Sequence, residues 1–501
     1  MIGTVLKTLI VVLGLLVQIG FEVLLFMYFN NAFTIVNIIC YVAGILMVLR
    51  MIKNSTRLSS GLPWIIMILA FPIFGTVLTI TLSGNYLRSR LLRRILDKEK
   101  EYYPLMRQDE EVKKEIDDEN HTELRFISEC AGYPVSRNNK VTYYPSGEEF
   151  LPEYLKELEK AKSFIFMEYF IILEGKMWES VLDVLKRKAK EGVDVRLVYD
   201  DVGTYGRLPV NFDKKLELLG IKCVKFNRVS PMNGVFMNHR DHRKITVIDG
   251  LVGFTGGLNL ADEYINETHP YGYWKDNALK IEGDAVYSLS VMFLAAYDAH
   301  KDIKEDAEEF RVDSNNFEKQ KGYVSAYASA PLHEDIIAEE IYLNLINGAK
   351  KYIYISTPYL IIDSDMINSL CRAARRGIDV RILVPGIPDK KLVYLVTSSY
   401  FEILVKAGVK IYRYTPGFVH AKIFVVDDYK ATVGTVNLDY RSLYLHYENG
   451  VYMEDVEEID KIKEDLVGAM NESSLISLKE ATPSYFMGIV MAVLRLVAPL
   501  F

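Results

Sequence analysis

The sequence predicts an α/β protein: two tandem α/β sandwich domains related by a pseudo-two-fold, behind an N-terminal helical membrane anchor. Three observations predict it. Long apolar stretches crowd the first hundred residues, the remainder repeats itself at an offset of about 180 residues, and strand-like runs alternate with amphipathic helices inside each copy. The 501 residues carry 59 Lys and Arg against 66 Asp and Glu, a net charge of −7. That balance argues against a nucleic-acid binder, whose footprint is basic. The four cysteines, Cys40, Cys130, Cys223 and Cys371, form no Cys-x-x-Cys pair. A disulfide framework or Cys-rich zinc site is therefore not expected, and a reducing compartment suits the thiols.

The anchor comes first. Residues 8–29 contain one charge, Glu22, and residues 32–49 and 62–82 contain none. Stretches near twenty residues match a hydrocarbon core of about 30 Å at about 1.5 Å per residue. A removable signal peptide would not be followed by further apolar segments. Residues 1–96 are thus expected to form two to three transmembrane or re-entrant segments, with Glu22 near a helix end where it can snorkel. Basic residues follow the second stretch (Arg50, Lys53, Arg57) and the third (Arg88, Arg90, Arg93, Arg94, Lys98, Lys100). Both clusters call for the cytoplasmic side. A bend in the third stretch, which Pro63, Pro72 and Gly75 permit, reconciles them and puts the globular part in the cytoplasm. Residues 97–125 are charge-dense and read as a solvated helix or linker. Residues 476–501 end in an apolar tail whose segment 485–501 carries one Arg and suits either a buried helix or a bilayer interface.

Between them lie two copies, 126–320 and 321–475. AKSFIFMEYFII (161–172) is echoed by AKKYIYISTPYLII (349–362), and LKRKAKEGVDVRLVYDD (185–201) by LCRAARRGIDVRILVPG (370–386). Each copy reads as strand, amphipathic helix, then strand, with Gly192 and Gly377 placed as helix C-caps. A mixed or largely parallel sheet follows. Face-to-face packing of two such domains makes a shared site at their interface the natural consequence.

The chemistry sits in a repeated constellation. His242, Lys244, Asp249, Gly256, Gly257 and Asn259 recur at the same spacing as His420, Lys422, Asp427, Gly434, Thr435 and Asn437. Chance placement gives one such His-Lys-Asp match at a rate on the order of one in 300 per histidine, so two aligned matches are not accidental. Along a strand Lys points to the same side as the His two residues earlier, so each copy offers an imidazole and a cation together. A neutral imidazole can attack phosphorus through one nitrogen if the other donates to a carboxylate, while a second, protonated imidazole serves the departing alkoxide. Lys244, Lys422, Asn259 and Asn437 are expected to hold the non-bridging oxygens. Asp249 and Asp427, on the far stretch of each strand, are expected to brace loops. Such a site needs no metal and no cofactor. His239-Arg240-Asp241 mimics a kinase loop without its metal-binding Asn or glycine-rich partner. His239 and His242 lack further local zinc ligands. His121, His269, His300, His333 and His446 are read as packing or surface residues.

This double motif resembles the signature of the phospholipase D superfamily. With the anchor, the stretch WIIMILAFPIFG (64–75) and the Pro-Leu-Phe terminus, the chain is similar to the bacterial cardiolipin synthases of that superfamily. The resemblance implies two phospholipase D-like domains and a phosphohistidine intermediate. It also implies phosphatidyl exchange between two phosphatidylglycerol molecules, giving cardiolipin and glycerol at the bacterial cell membrane. Its partners would be membrane phospholipids and the bilayer. Water, serine or ethanolamine remain alternative acceptors, and a catalytically dead membrane scaffold is the non-enzymatic alternative. The resemblance supports Glu448 as the carboxylate partner of His420. For His242 the candidate is Asp276, ahead of Asp262 and Glu263. Gly257 stands where the family has Ser or Thr, implying one hydroxyl contact to phosphate fewer in the first copy. His242 is expected to be the nucleophile and His420 the acid.

Overall fold

The computed structural model describes residues 30–54, 58–72, 74–76, 79, 90–118, 121–229, 238–312, 321–331, 333, 335–496 and 498, with residues 20 and 23. Apart from those last two, the first apolar stretch with Glu22 lies outside the described residues, as do Arg57, Arg88 and residues 499–501. The chain divides into two compact units, Met1–Ser89 with Leu496–Leu500 and Arg90–Arg495 with Phe501.

In the first unit, a helix over Asn30–Asn54 leaves Ile35, Ile38, Ile39, Val42, Ile45, Leu46 and Leu49 exposed. A second helix, Leu58–Ala70, approaches it closely enough that a Cβ on Gly44 would stand 3.1 Å from Ile68. The chain then doubles back at Phe71 and Pro72. A Cβ on Gly75 would lie 2.2 Å from the Met67 carbonyl oxygen, whereas eight residues of straight helix would part them by about 12 Å. Proline stands at the bend and glycine at the close approach. Among the described residues no helix is long and apolar enough to cross a membrane. Leu58–Ala70 spans only about 20 Å before the bend.

The second unit holds both copies. The first builds a seven-stranded sheet from β1 (Asn139–Tyr144), β2 (Phe164–Tyr169), β3 (Asp194–Asp200), β4 (Lys222–Phe226), β5 (Lys244–Ile248), β6 (Val252–Gly256) and β8 (Ala278–Gly283), in the order β1-β8-β6-β5-β2-β3-β4. The short β7 (Tyr273–Lys275) stands outside it. The second copy contributes β9 (Tyr323–Ser329), β10 (Tyr352–Ser356), β11 (Asp379–Pro385), β12 (Lys410–Tyr414), β13 (Gly417–Val419), β14 (Ile423–Val426), β15 (Lys430–Gly434), β16 (Glu448–Glu454) and β17 (Ser473–Leu475). Eight of these nine, all but β13, form one sheet in the order β17-β12-β11-β10-β14-β15-β16-β9. In both sheets the βαβ crossovers make the first three strands parallel (β2-β3-β4 and β10-β11-β12), and the motif-bearing hairpins make the rest antiparallel. The sheets are therefore mixed.

The crossover helix Lys176–Lys190 buries Met177, Trp178, Val181, Val184 and Leu185 in the first core, and Ser364–Arg375 packs equivalently in the second. Gly192 and Gly377, at φ 93° and 90°, end these helices in the left-handed turn that favours glycine. Within the charge-dense stretch 97–125 the described residues form amphipathic helical segments. Helices Arg90–Tyr102 and Glu110–Asp118 bury Leu92, Ile95, Tyr102, Val112 and Ile116, and the Tyr102 hydroxyl donates to Asp298 at 2.5 Å. At the far end, helix Tyr485–Leu496 exposes Tyr485, Phe486, Ile489 and Val493, while the Arg495 guanidinium lies 4.5 Å from the Tyr400 ring centre.

Candidate active site

The halves are stitched together at the motif. β13 pairs in parallel with β7, and an isolated parallel bridge joins Asp241 to Tyr447. The His242 N–H donates to the Tyr447 carbonyl at 2.8 Å, and the His420 N–H donates to the Lys275 carbonyl at 2.7 Å. The residues after those carbonyls are Glu448 and Asp276. Each half thus delivers its carboxylate to the other half's imidazole: His242 Nδ1 lies 2.9 Å from Glu448 Oε2, and His420 Nδ1 lies 2.7 Å from Asp276 Oδ2. This corrects the pairing expected from sequence, which matched Glu448 with His420 and Asp276 with His242. The residues are right and the partners are exchanged, because β7 and β13 cross the interface. Asp262, the alternative for His242, instead accepts the backbone N–H groups of Lys176 and Met177 at a helix start.

The supporting residues divide as follows. Lys244 and Lys422 each donate to the carbonyl of their own motif histidine, Lys244 at 2.7 Å. Asp249 accepts the N–H groups of Lys162, Ser163 and Phe164, and Asp427 those of Lys350, Lys351 and Tyr352. Each Asp therefore locks the loop entering β2 or β10, bracing the fold as its strand position predicts. Asn259 is engaged inside the first half. Its Oδ1 accepts the Ile171 N–H at 3.0 Å and its Nδ2 donates to the Tyr264 hydroxyl at 2.6 Å, so both ends of the amide are occupied. Asn437 keeps a buried Oδ1 with no hydrogen-bond partner among the described residues.

Thr435 donates to Glu448 Oε2 at 2.5 Å. The hydroxyl of this motif position thus steadies a carboxylate, which corrects its expected role as a phosphate contact. Gly257 occupies the same place in the first half, where a Cβ would stand 1.8 Å from Asp276 Oδ1. The glycine makes room for that carboxylate. Asp276 Oδ1 is itself held by the Asn277 N–H at 2.9 Å.

Burial sets the electrostatics. It pushes the His242 imidazole well below its usual pKa, with Lys244, Lys422 and His420 adding to the effect. His420 is pushed down to about 4 by burial and Lys422. Burial likewise lowers Lys244 to about 8 and Lys422 to about 7. For Asp276 burial acts upward, but His420 and Lys422 outweigh it and hold the carboxyl below its usual range. Groups from both halves therefore act on one another across a single cleft. It is a site crowded with buried cations and short of an anion, which a phosphodiester supplies.

His242, His446 and Glu448 bring donor atoms within 4.8 Å of one another. Two of the three already share the His242 proton, and two ammonium groups stand against a further cation, so the set does not read as a metal site. The aromatic walls differ between halves: Phe170 and His446 flank His242, with ring centres 5.0 and 5.7 Å away, and Trp274 and Tyr264 flank His420 at 5.4 and 5.5 Å. Behind His242, the buried Arg243 guanidinium bridges Glu168 at 2.7 Å and Asp241 at 3.1 Å. Position 421 of the second half is Ala.

A model of the cardiolipin synthase phospholipase D-like domain matches residues 154–282 and 342–468, the stretches that build this cleft. A cardiolipin synthase of Alkalihalophilus pseudofirmus is 35% identical over 88% of this chain and 88% of its own length. The chain belongs to the cardiolipin synthase family of phospholipase D-like enzymes. Its similarity extends to an uncharacterized protein of Streptococcus mutans, 41% identical over 90% of this chain and 99% of that one. Among solved structures, the phosphatidylserine synthase of Haemophilus influenzae shares the fold at a TM-score of 0.56 and 15% identity, covering 72% of this chain and 95% of that one.

Sequence reasoning gave no site role to Arg243 or His446, and it did not foresee the contact of Thr435 with Glu448. Thr435 lies inside the motif and Arg243 between its His and Lys. His446 carried one signal, its place two residues before Glu448.

Proposed function

We propose that this enzyme makes cardiolipin from two molecules of phosphatidylglycerol, releasing glycerol. The observation that carries the reading is the crossed pair of imidazole–carboxylate contacts beside two buried lysines, in a member of this family. In the first half-reaction His242 Nε2 attacks the phosphorus of one phosphatidylglycerol. The P–O bond to the terminal glycerol breaks, and His420 gives its proton to the departing alkoxide. In the second, a glycerol hydroxyl of another phosphatidylglycerol passes its proton to His420 and attacks the phosphorus, and the P–N bond to His242 breaks. One phosphodiester replaces another, so no nucleotide is consumed. Glu448 holds the His242 Nδ1 proton and leaves the Nε2 lone pair free. Burial holds His420 near 4 in the free enzyme, and the arriving phosphodiester anion together with Asp276 favours its imidazolium form, while Lys244, Lys422 and Asn437 meet the phosphate oxygens. Burial, with Lys244, Lys422 and His420 adding to it, keeps His242 neutral and suits it to the role of nucleophile.

Both substrates reside in a bilayer. We read the apolar N-terminal segments as the anchor, with the cytoplasmic leaflet as the working face and helix Tyr485–Leu496 resting in the interface through its exposed aromatic and aliphatic side chains. The test is the full chain on phosphatidylglycerol vesicles with product identification. Cardiolipin and glycerol in equal amounts support the reading; phosphatidic acid would indicate water as acceptor. His242→Ala and His420→Ala each abolish product, and near-normal synthesis by both would overturn it.

A further inference from the structure

The two imidazole–carboxylate pairs are not equivalent. Both oxygens of Asp276 are engaged, Oδ2 by His420 Nδ1 and Oδ1 by the Asn277 N–H. Glu448 receives His242 and Thr435 on the same oxygen, Oε2, and its Oε1 is buried with no hydrogen-bond partner among the described residues. An uncompensated carboxylate oxygen at a fully buried position is costly. The group facing it is His446, whose Nδ1 lies 3.7 Å from Oε1 and whose two ring nitrogens are likewise buried and unpartnered among the described residues. At 3.7 Å the two do not form a hydrogen bond, but a small rotation of the imidazole closes the gap. The corresponding residue of the first half, two before its carboxylate, is Trp274. Only the His242 side carries a third imidazole.

We propose that His446 is a positioning residue that donates a hydrogen bond to the free oxygen of Glu448 and so fixes the tautomer and aim of His242. This inference rests on His242 and Glu448 working as a pair and adds a third member to them. Burial pushes His446 down to about 3, so it is neutral at physiological pH and brings one N–H and no charge. With that donor in place both Glu448 oxygens are held. Without it an uncompensated carboxylate oxygen faces the pair, and the His242 imidazole takes up a proton at higher pH. The charged or titratable groups around the trio include Lys244, Lys422, His420 and Asp241 on the His242 side, Arg441 on the His446 side, and Asp439, Tyr327 and Tyr342 about Glu448. The two lysines act on the basic limb and His420, near 4, on the acid limb, so the exchange midpoint of His242 itself is the readout specific to the pair.

The test compares His446→Gln, which keeps an N–H donor, with His446→Phe and His446→Trp, which fill the space without one toward Oε1. Each full-length variant is assayed for cardiolipin formation against pH. Hydrogen–deuterium exchange at the imidazole C2 position, read by mass spectrometry, follows His242 without any turnover. The expected result is a kcat at least tenfold lower in the aromatic variants with KM within twofold, and an acid limb and His242 exchange midpoint moved up by about one pH unit. His446→Gln recovers to within about threefold, with a wild-type midpoint. Equal losses in all three variants, or an unmoved His242 midpoint in whichever aromatic variant folds, would overturn the inference and leave His446 as packing. Absence of cardiolipin from the wild-type enzyme would count against the proposed reaction instead, while the exchange measurement still decides the role of His446.

Discussion

Replacing Gly257 by Ala, or by the Thr found at the matching position of the second half, is expected to damage the enzyme. A Cβ at 257 would stand 1.8 Å from Asp276 Oδ1 and 2.8 Å from its Cγ. Ordinary contact needs roughly 3.4 Å or more, so the carboxylate must retreat by about 1.5 Å. Asp276 is fully buried, and that retreat stretches both the 2.7 Å contact to His420 and the 2.9 Å bond from Asn277. Losing one charge-assisted hydrogen bond costs about 1.5–3 kcal/mol, which is roughly a 10- to 150-fold fall in turnover if the bond supports the transition state. Overpacking adds about 1–3 kcal/mol of lost stability. The assay is cardiolipin formation on phosphatidylglycerol vesicles at saturating lipid, alongside thermal unfolding. Gly257→Ala should keep most of its fold and lose at least tenfold in kcat, and Gly257→Thr should lose more. Turnover within twofold of wild type in Gly257→Ala would refute the reasoning, since Asp276 would then not need its place beside His420.

Three further outcomes follow from the same geometry. Burial holds Lys422 near 7 and Lys244 near 8 in the free enzyme, and an anion favours their charged forms. Affinity for a water-soluble monoanionic phosphodiester should therefore fall by roughly tenfold or more from pH 6.5 to 8.5, as calorimetry can measure, and a flat profile would remove the lysines as its ligands. Asp249→Ala and Asp427→Ala each break three backbone hydrogen bonds to a carboxylate and should cost about 3 kcal/mol, seen as a lowered denaturation midpoint. Protein that remains folded should keep measurable turnover, because neither Asp meets the imidazoles. Changing Phe486 and Ile489 together to Ser should raise the apparent KM for vesicle lipid by roughly tenfold and leave kcat unaltered, as burial of those side chains in lipid requires; an unchanged KM would leave helix Tyr485–Leu496 without a membrane role.

The parts of this molecule that depend on near neighbours were legible in the sequence. Strand alternation after His242 and His420 fixes which side their lysines take, and Gly192 and Gly377 announce the ends of two equivalent helices. The bend at Phe71 and Pro72 follows from proline chemistry. What could not be read is how the copies meet. Glu448 lies 28 residues from His420 along the chain, yet β13 carries His420 toward β7 and hands it to Asp276. Pairing each imidazole with the carboxylate of its own copy was the natural reading and was reversed by that crossing. Asn259 looked free because its partners, Ile171 and Tyr264, are matched by no pattern in the motif. His446 looked like packing because its neighbour His242 lies in the other copy.

The reciprocal strand exchange at the cleft has a mechanical consequence. Parting the halves like jaws to admit a two-tailed lipid would pull Glu448 from His242 and Asp276 from His420 in the same movement, disarming both imidazoles at once. Lipid must therefore reach the phosphorus along the rim of a closed seam, and a half expressed alone would present a bare imidazole with no acid beside it.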